Sequence, residues 1–458
     1  MRSIDKAVLS VFLIVLFMTR PVGAAQAPSN LELMNQLREL RQIVTEQGER
    51  ITELERSLSQ HKEELSGYKC VIEEHEELIN KERLRGISAE MRKRLEGLKT
   101  VGPIEVGASA TFMGQGTPSA NSSGGDKQDD RFDASWTAEI ELAKSFGEWG
   151  YAYILMEPGQ GSGLNEDLSL FSPVNFDAAA TGSSPNVTEV WYEQYLCDNC
   201  LAVTFGKLYF PNYLDTNEYA NDENRQFFSG MFRNADTIDF PGADQCLGAR
   251  ASFAPRFADY LTLEAMWGET DSDYEQVFDH PFIATQLNLA PAKFFGYDAQ
   301  EWGGNYRMYF WYNGEDHTKI KAPEETKLNN YGLGISCDQK ITDMAGIFAR
   351  FSWQDPVVSD IEYHWSLGGQ LKGGLWNRNN DVFAVGVGQA IPGAQYGKRG
   401  NPNGTETHIE TYYSVHLNEH VAVSPDIQCI WSPNGVKNSE QGERGPIFVY
   451  GIRTFIDF

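Results

Sequence analysis

Apolar and polar residues alternate strictly along much of this chain. In FDASWTAEIELA, starting at 132, Phe132, Ala134, Trp136, Ala138, Ile140 and Leu142 share one parity, against Asp133, Ser135, Thr137, Glu139 and Glu141. NYRMYFWYN (305–313) sets Tyr306, Met308, Phe310 and Tyr312 against Asn305, Arg307, Tyr309 and Trp311. THIETYYSVHL (407–417) sets Ile409, Thr411, Tyr413 and Val415 against His408, Glu410, Tyr412, Ser414 and His416. The last stretch, GPIFVYGIRTFIDF, sets Phe448, Tyr450, Ile452, Ile456 and Phe458 against Arg453 and Asp457. A period of two means β-strands whose two faces meet different surroundings. About sixteen such segments run from IEVGASATF at 104 to Phe458.

The links between them predict the architecture. Short ones are KSFG (144–147), CDNC (197–200), PRFA (255–258), DQKITD (338–343) and NEH (418–420). Long polar ones are 113–131, 157–186, 210–244, 390–406 and 431–445, and a medium link near 290–303 breaks the regularity. Short turns at one end and long loops at the other describe an outer-membrane barrel of about 16 antiparallel strands over 101–458. In lipid, only a helix or a closed barrel satisfies its backbone. A soluble sandwich explains single strands equally well, but not the sorting of loops by end. An even strand count puts both barrel ends on the short-turn side, expected to be periplasmic. A strand ending on an aromatic is what outer-membrane assembly reads in this class of protein.

The first hundred residues have another texture. MRSIDKAVLSVFLIVLFMTRPVGAAQA (1–27) has the basic start, short apolar run and small residues of a secretory signal. From Asn30 to Glu82 a heptad repeat puts Asn30, Leu37, Val44, Ile51, Leu58, Leu65, Ile72 and Ile79 at a, with Leu33, Leu40, Gln47, Leu54, His61, Tyr68, His75 and Glu82 at d, a column that turns polar and weakens the zipper toward its C-terminal end. That predicts an α-helical coiled coil within 28–100, assigned to the periplasm, that self-associates; these residues do not fix the number of helices, and a trimer is taken as the working expectation.

Charge narrows the partners. The formal net charge is −26, while residues 1–100 carry 16 basic and 16 acidic side chains, so the excess lies in the barrel region. Nucleic acid is excluded as a partner, because it demands a basic surface. Lipid bilayer and small polar solutes remain. The six cysteines (70, 197, 200, 246, 337 and 429) are not a disulfide scaffold. Cys197 and Cys200 flank an Asp-Asn turn, as a cross-hairpin disulfide or two inert thiols. No cofactor or metal is expected.

Parity nominates the lumen. Inward bases are Arg250, Arg307, Arg350 and Arg453; inward acids are Glu139, Glu141, Glu189, Glu193, Glu264, Glu410, Asp426 and Asp457; Trp311 adds an inward ring. Guanidinium forks, carboxylates and flat aromatic faces suit polyhydroxylated solutes. The alternative is that these charges pair with one another along a wet wall.

The string FGKLYFPNYLDTNEYANDENRQFFSGMF (205–232) resembles the carbohydrate-selective porin family of Gram-negative outer membranes, the OprB type. The resemblance lies in Gly206-Lys207, Tyr213, Asp215, Asn217, Ala220-Asn221-Asp222, Asn224 and Gln226-Phe227. It continues in GNYRMYFWYNG (304–314), WSLGGQLKG (365–373), NDVFAVGVGQ (380–389) and ETYYSVHLNEHVAVSPDIQCIWSPNG (410–435). It implies a sixteen-stranded barrel narrowed by an inward loop, with diffusion of sugars through it. Carried over, 210–244 forms the constriction, faced by Asp215, Asn217, Asn221, Asp222, Glu223, Asn224 and Arg225. Other readings are a porin for siderophores or unrelated small solutes, and a structural tether to the cell wall. An outer-membrane enzyme lacks support, because no GxSxG or HExxH motif is present and no serine motif accompanies His408 and Glu410.

Overall fold

The computed structural model describes 34–35, 38–39, 41–53 and 56–57, and then 95–458 apart from 96, 119, 122–129, 179–185, 198–199, 328, 399–400 and 437–445. The signal segment 1–27, Cys70 and most of the heptads lie outside the described residues. The chain divides into two compact units, Met1–Ile79 and Asn80–Phe458.

In the first unit the described residues are helical. Val44 and Ile51, both a positions, are exposed. Thr45 and Thr52 donate back to the carbonyls of Arg41 and Gly48, each at 2.9 Å. Among the described residues no helix is long and apolar enough to cross a membrane, which says nothing about strands.

The second unit is a closed antiparallel barrel of sixteen strands. They are β1 (Ile104–Thr117), β2 (Arg131–Ser145), β3 (Gly150–Met156), β4 (Val187–Leu196), β5 (Leu201–Tyr209), β6 (Gln245–Phe253), β7 (Leu261–Glu269) and β8 (Pro281–Leu289). The circuit continues with β9 (Gly304–Asn313), β10 (Asn330–Thr342), β11 (Ala345–Gln354), β12 (Ile361–Gly373), β13 (Arg378–Pro392), β14 (Glu406–His416), β15 (Val421–Trp431) and β16 (Ile447–Asp457). Each pairs with its neighbours in sequence, and β1 closes the ring on β16 from Ser109↔Asp457 to Gly116↔Tyr450. The Phe458 amide adds a bond to the Ala108 carbonyl at 2.9 Å. Closure leaves no free edge, as an apolar solvent requires. Two short strands, Lys99–Val101 and Gly159–Gln160, pair onto β1 and β2.

Loops sort by end as the link lengths predict. The medium link between β8 and β9 is at the short-turn end and carries two small helices, Pro291–Phe295 and Ala299–Trp302. Face assignment follows parity. On β11, Ile347 and Phe351 are exposed, while Phe348, Arg350 and Ser352 are buried. Phe448, Tyr450 and Ile452 of β16 are exposed, and Arg453 is buried. Exposed large apolar side chains therefore band the outside, where hydrocarbon lies against a barrel of this kind.

Candidate functional site

The 210–244 segment leaves β5 through the short 3-10 turn Phe210–Asn212 and folds into the barrel. Its Asn and Asp side chains shape it by bonding nearby amides. Asn217 Oδ1 accepts from Tyr219 N (3.1 Å), and Asp222 Oδ1 accepts from Asn224 N and Arg225 N (3.0 Å each). Gln226 Oε1 takes the amides of Asn221 (2.6 Å) and Asp222 (3.0 Å). Ser229 caps the turn Gly230–Phe232 by accepting from Met231 N.

The barrel wall then grips the loop. Arg350 donates to the carbonyls of Ala220 (2.6 Å), Phe232 (2.9 Å) and Asp215 (3.1 Å), and its Nε lies 3.2 Å from Asp215 Oδ2. Arg453 donates to the carbonyls of Gln226 (2.7 Å) and Glu223 (2.9 Å) and lies 4.2 Å over the Phe228 ring. Glu410 accepts the amides of Phe228 (2.5 Å) and Ser229 (3.1 Å). Asn217 donates to Ser336 Oγ and to the Cys337 carbonyl, both at 3.1 Å. Charge-assisted bonds of this kind are among the stronger ones a protein makes.

Apolar packing completes the seat. Phe227 contacts Phe232, Tyr412 and Phe348 at ring distances of 4.6, 5.2 and 5.6 Å. Each fully buried aromatic of this kind contributes about 1.5–3 kcal/mol. The wall makes room with glycine. A Cβ on Gly346 would sit 2.1 Å from the Tyr219 ring, and one on Gly386 would sit 2.7 Å from Phe232. Strand glycines of this kind mark close approach.

Many of the nominated bases and acids are covered rather than exposed to an open pore. Arg250, Arg307, Arg350, Arg453, Glu193, Glu264 and Glu410 end beneath the loop or in pairs along the wall. Arg250 pairs with Glu264 and with Glu193 (3.5 Å) and lies 4.9 Å over the Tyr213 ring. Arg307 Nη1 pairs with Asp338 Oδ2 at 2.5 Å. Trp311 is fully buried in an apolar cluster with Tyr213, Leu214 and Phe282. Glu189 borders open space, yet its carboxylate accepts from Trp191 Nε1 (3.0 Å) and Asn212 Nδ2 (3.2 Å). Asp215, Asn217 and Asn221 of the constriction set likewise hold the loop. Cys197 and Cys200 are not joined by a disulfide; the Cys200 amide donates to the Cys197 carbonyl at 3.3 Å, closing the turn.

Open space lies on both sides of the loop. At the long-loop end a cavity of about 540 Å³ is bordered by Glu139, Glu157, Asp177, Glu189, Glu223 and Asp244, with Lys207 the one base among its lining residues. Phe176, Tyr209 and Tyr274 give it ring faces. At the short-turn end, cavities of about 180 and 380 Å³ share Asp222, Asn224 and Arg225. Glu139 borders both the 540 Å³ and the 180 Å³ cavities. It accepts from Asn224 Nδ2 (3.1 Å) of the loop and Ser109 Oγ (3.2 Å) of the wall. Beside it Glu223 pairs with Arg233 at 2.5 Å, whose guanidinium lies 5.8 Å from the rings of Phe176 and Tyr209.

Burial tunes two of the loop acids. It pushes the Asp244 carboxyl up to about 6, with Arg233 pulling the other way. It also raises Asp177 well above the ordinary carboxylate range, Glu157 adding repulsion and the Thr137 hydroxyl opposing.

One cluster has the look of an enzyme. Ser229 Oγ lies 3.2 Å from His408 Nδ1, and His408 Nε2 lies 2.9 Å from Glu406 Oε1. All three are buried, with His408 and Glu406 wholly inaccessible. Ser229 Oγ also donates to the Pro173 carbonyl at 3.1 Å, and Glu406 accepts the amides of Phe171, Ser172 and Asn434. The trio joins loop to wall, and no substrate reaches it.

Glu157, Asp177, Lys207, Arg233 and Asp244 escaped nomination from the sequence. Four lie outside the alternating strands, where parity gives no direction; Lys207, in β5, follows the positive-φ Gly206. The inward glycines of AVGVGQ were the available signal that something packs against that wall.

Residues 125–458 match the family described as carbohydrate-selective porin, OprB family. Porin B of Pseudomonas aeruginosa is 23% identical over 301 residues, spanning 56% of this chain and 65% of that protein, just under two thirds of its length. Porin AaxA of Chlamydia abortus is 19% identical over 70% of this chain and 68% of its own. The high-pH structure of Pseudomonas putida OprB superposes with a TM-score of 0.65 at 16% identity, covering 80% of this chain and 96% of that one, which is a likeness of fold. With the family pattern spanning most of the chain, including the whole loop-constricted barrel from β2 onward, the chain belongs to the OprB family of carbohydrate-selective porins.

Proposed function

We propose that this outer-membrane barrel lets sugars and similar small polar solutes diffuse across the membrane, past a constriction at Glu139, Glu223 and Asn224. The observation that carries the reading is that Glu139 borders the space on both sides of the loop. A solute leaving the outer cavity meets its carboxylate, which accepts hydrogen bonds from sugar hydroxyls, while Phe176 and Tyr209 offer faces to the ring. The acidic lining favours neutral or cationic solutes over anions. Fold and family point to a channel rather than an enzyme.

In this reading the short-turn end faces the periplasm. The 28–100 segment forms a periplasmic coiled coil that assembles barrels, as trimers, through positions such as Val44 and Ile51. Their exposure in the described helix supports this.

Planar-bilayer recordings of the refolded chain test the transport reading. Channels with sugar-dependent block are expected. Liposome swelling with neutral sugars, amino acids and siderophores ranks the solutes. Silence with every solute would refute a pore and leave the tether. Swelling by siderophores but not sugars would refute the sugar assignment.

A further inference from the structure

We propose that Glu269, Asp271 and Asp273 form a Ca²⁺ site at the long-loop mouth of the barrel. Glu269 is the last residue of β7, and the two aspartates lie in the loop that follows it. Carboxylate oxygens of all three lie within 4.8 Å of one another. Glu269 is only 2% exposed, and neither of its carboxylate oxygens has a hydrogen-bond partner. Among the described residues, none of the three makes an ion pair. A buried carboxylate with both oxygens unpartnered, facing two further carboxylates, is an arrangement that a cation relieves.

The chemistry selects the ion. Three carboxylates and no nitrogen or sulfur donor is a hard-oxygen set. Ca²⁺ holds oxygens at about 2.3–2.6 Å, so ligands across the ion stand about 5 Å apart, which the cluster accommodates; Mg²⁺ demands about 2.0–2.1 Å and a stricter octahedron. Asp271 and Asp273 are exposed, leaving the remaining positions to water. Both side chains are already oriented by the loop: Asp273 N donates to Asp271 Oδ1 (3.4 Å), and Glu275 N donates to Asp273 Oδ1 (2.7 Å). Ser272 and Tyr274, interleaved with these ligands, border the outer cavity. The ion would thus fix one wall of the vestibule and soften its negative field.

Tb³⁺ serves as the probe, with Tyr274 next in sequence to Asp273 as the sensitiser. Purified full-length barrel in detergent should give saturable Tb³⁺ luminescence that Ca²⁺ displaces at lower concentration than Mg²⁺. The double variant Asp271→Asn, Asp273→Asn should bind Tb³⁺ at least tenfold more weakly, while Glu324→Gln in another exposed loop should not. Ca²⁺ should also raise the melting temperature of the parent chain and leave that of the double variant unchanged. Equal Tb³⁺ affinity in parent and double variant, or equal displacement by Ca²⁺ and Mg²⁺, would overturn the site.

Discussion

Two sectors of the inner wall carry the same kind of residue and use it differently. Where the 210–244 loop covers the wall, Arg350, Arg453 and Glu410 are buried and bonded to loop backbone. Where the loop leaves the wall open, Glu139 borders open space together with loop acids such as Glu157 and Asp244. A charge under the loop has its electrostatics consumed by a few short bonds in low dielectric. A charge at the opening acts through its field on whatever passes. Inward orientation is thus necessary for a pore-lining role and far from sufficient.

The comparison breaks first at Arg350. Replacing it with Ala strands Asp215 and several loop carbonyls in a buried place, a loss of about 3–5 kcal/mol for a broken buried pair. Single-channel conductance should rise as the loop loosens, sugar block should weaken, and the melting temperature should fall. Unchanged conductance would mean that apolar packing alone seats the loop. Glu410→Gln comes next. It keeps shape but removes the charge on the Phe228 and Ser229 amides, at about 1.5–3 kcal/mol for bonds to a charged group. The expected signature is noisier open current with a modest drop in thermal stability.

At the open sector the effects move from stability to selectivity. Glu139→Gln, which keeps the buried Glu223–Arg233 pair, should leave folding intact and shift reversal potentials toward anions, by a few-fold in permeability ratio. An equal reversal potential would remove this carboxylate from the path. The smallest effect is a titration. Because the Asp244 carboxyl is raised to about 6, it is charged above that pH and takes a proton as pH falls through it. Cation preference should therefore weaken across pH 6, and Asp244→Asn should flatten that part of the profile.

Much of the barrel was legible along the chain. Strand parity, sixteen segments and loops sorted by end are all local patterns, repeated at each hairpin. The loop's place along the chain was legible as a long polar link, and its inward fold only through the resemblance to the porin family. Less legible was which inward side chains the loop would cover. Arg350 and Asp215 are 135 positions apart, and Glu410 and Phe228 are 182 apart. No spacing rule relates such pairs.

What the sequence determined by itself is the two-faced strand and hence the barrel, because backbone pairing and a period of two are properties of neighbours. What the tertiary structure alone decided is the division of inward charges into loop anchors and passage lining. That division depends on where one loop comes to rest, and burial by a distant segment is written in no single stretch of the chain.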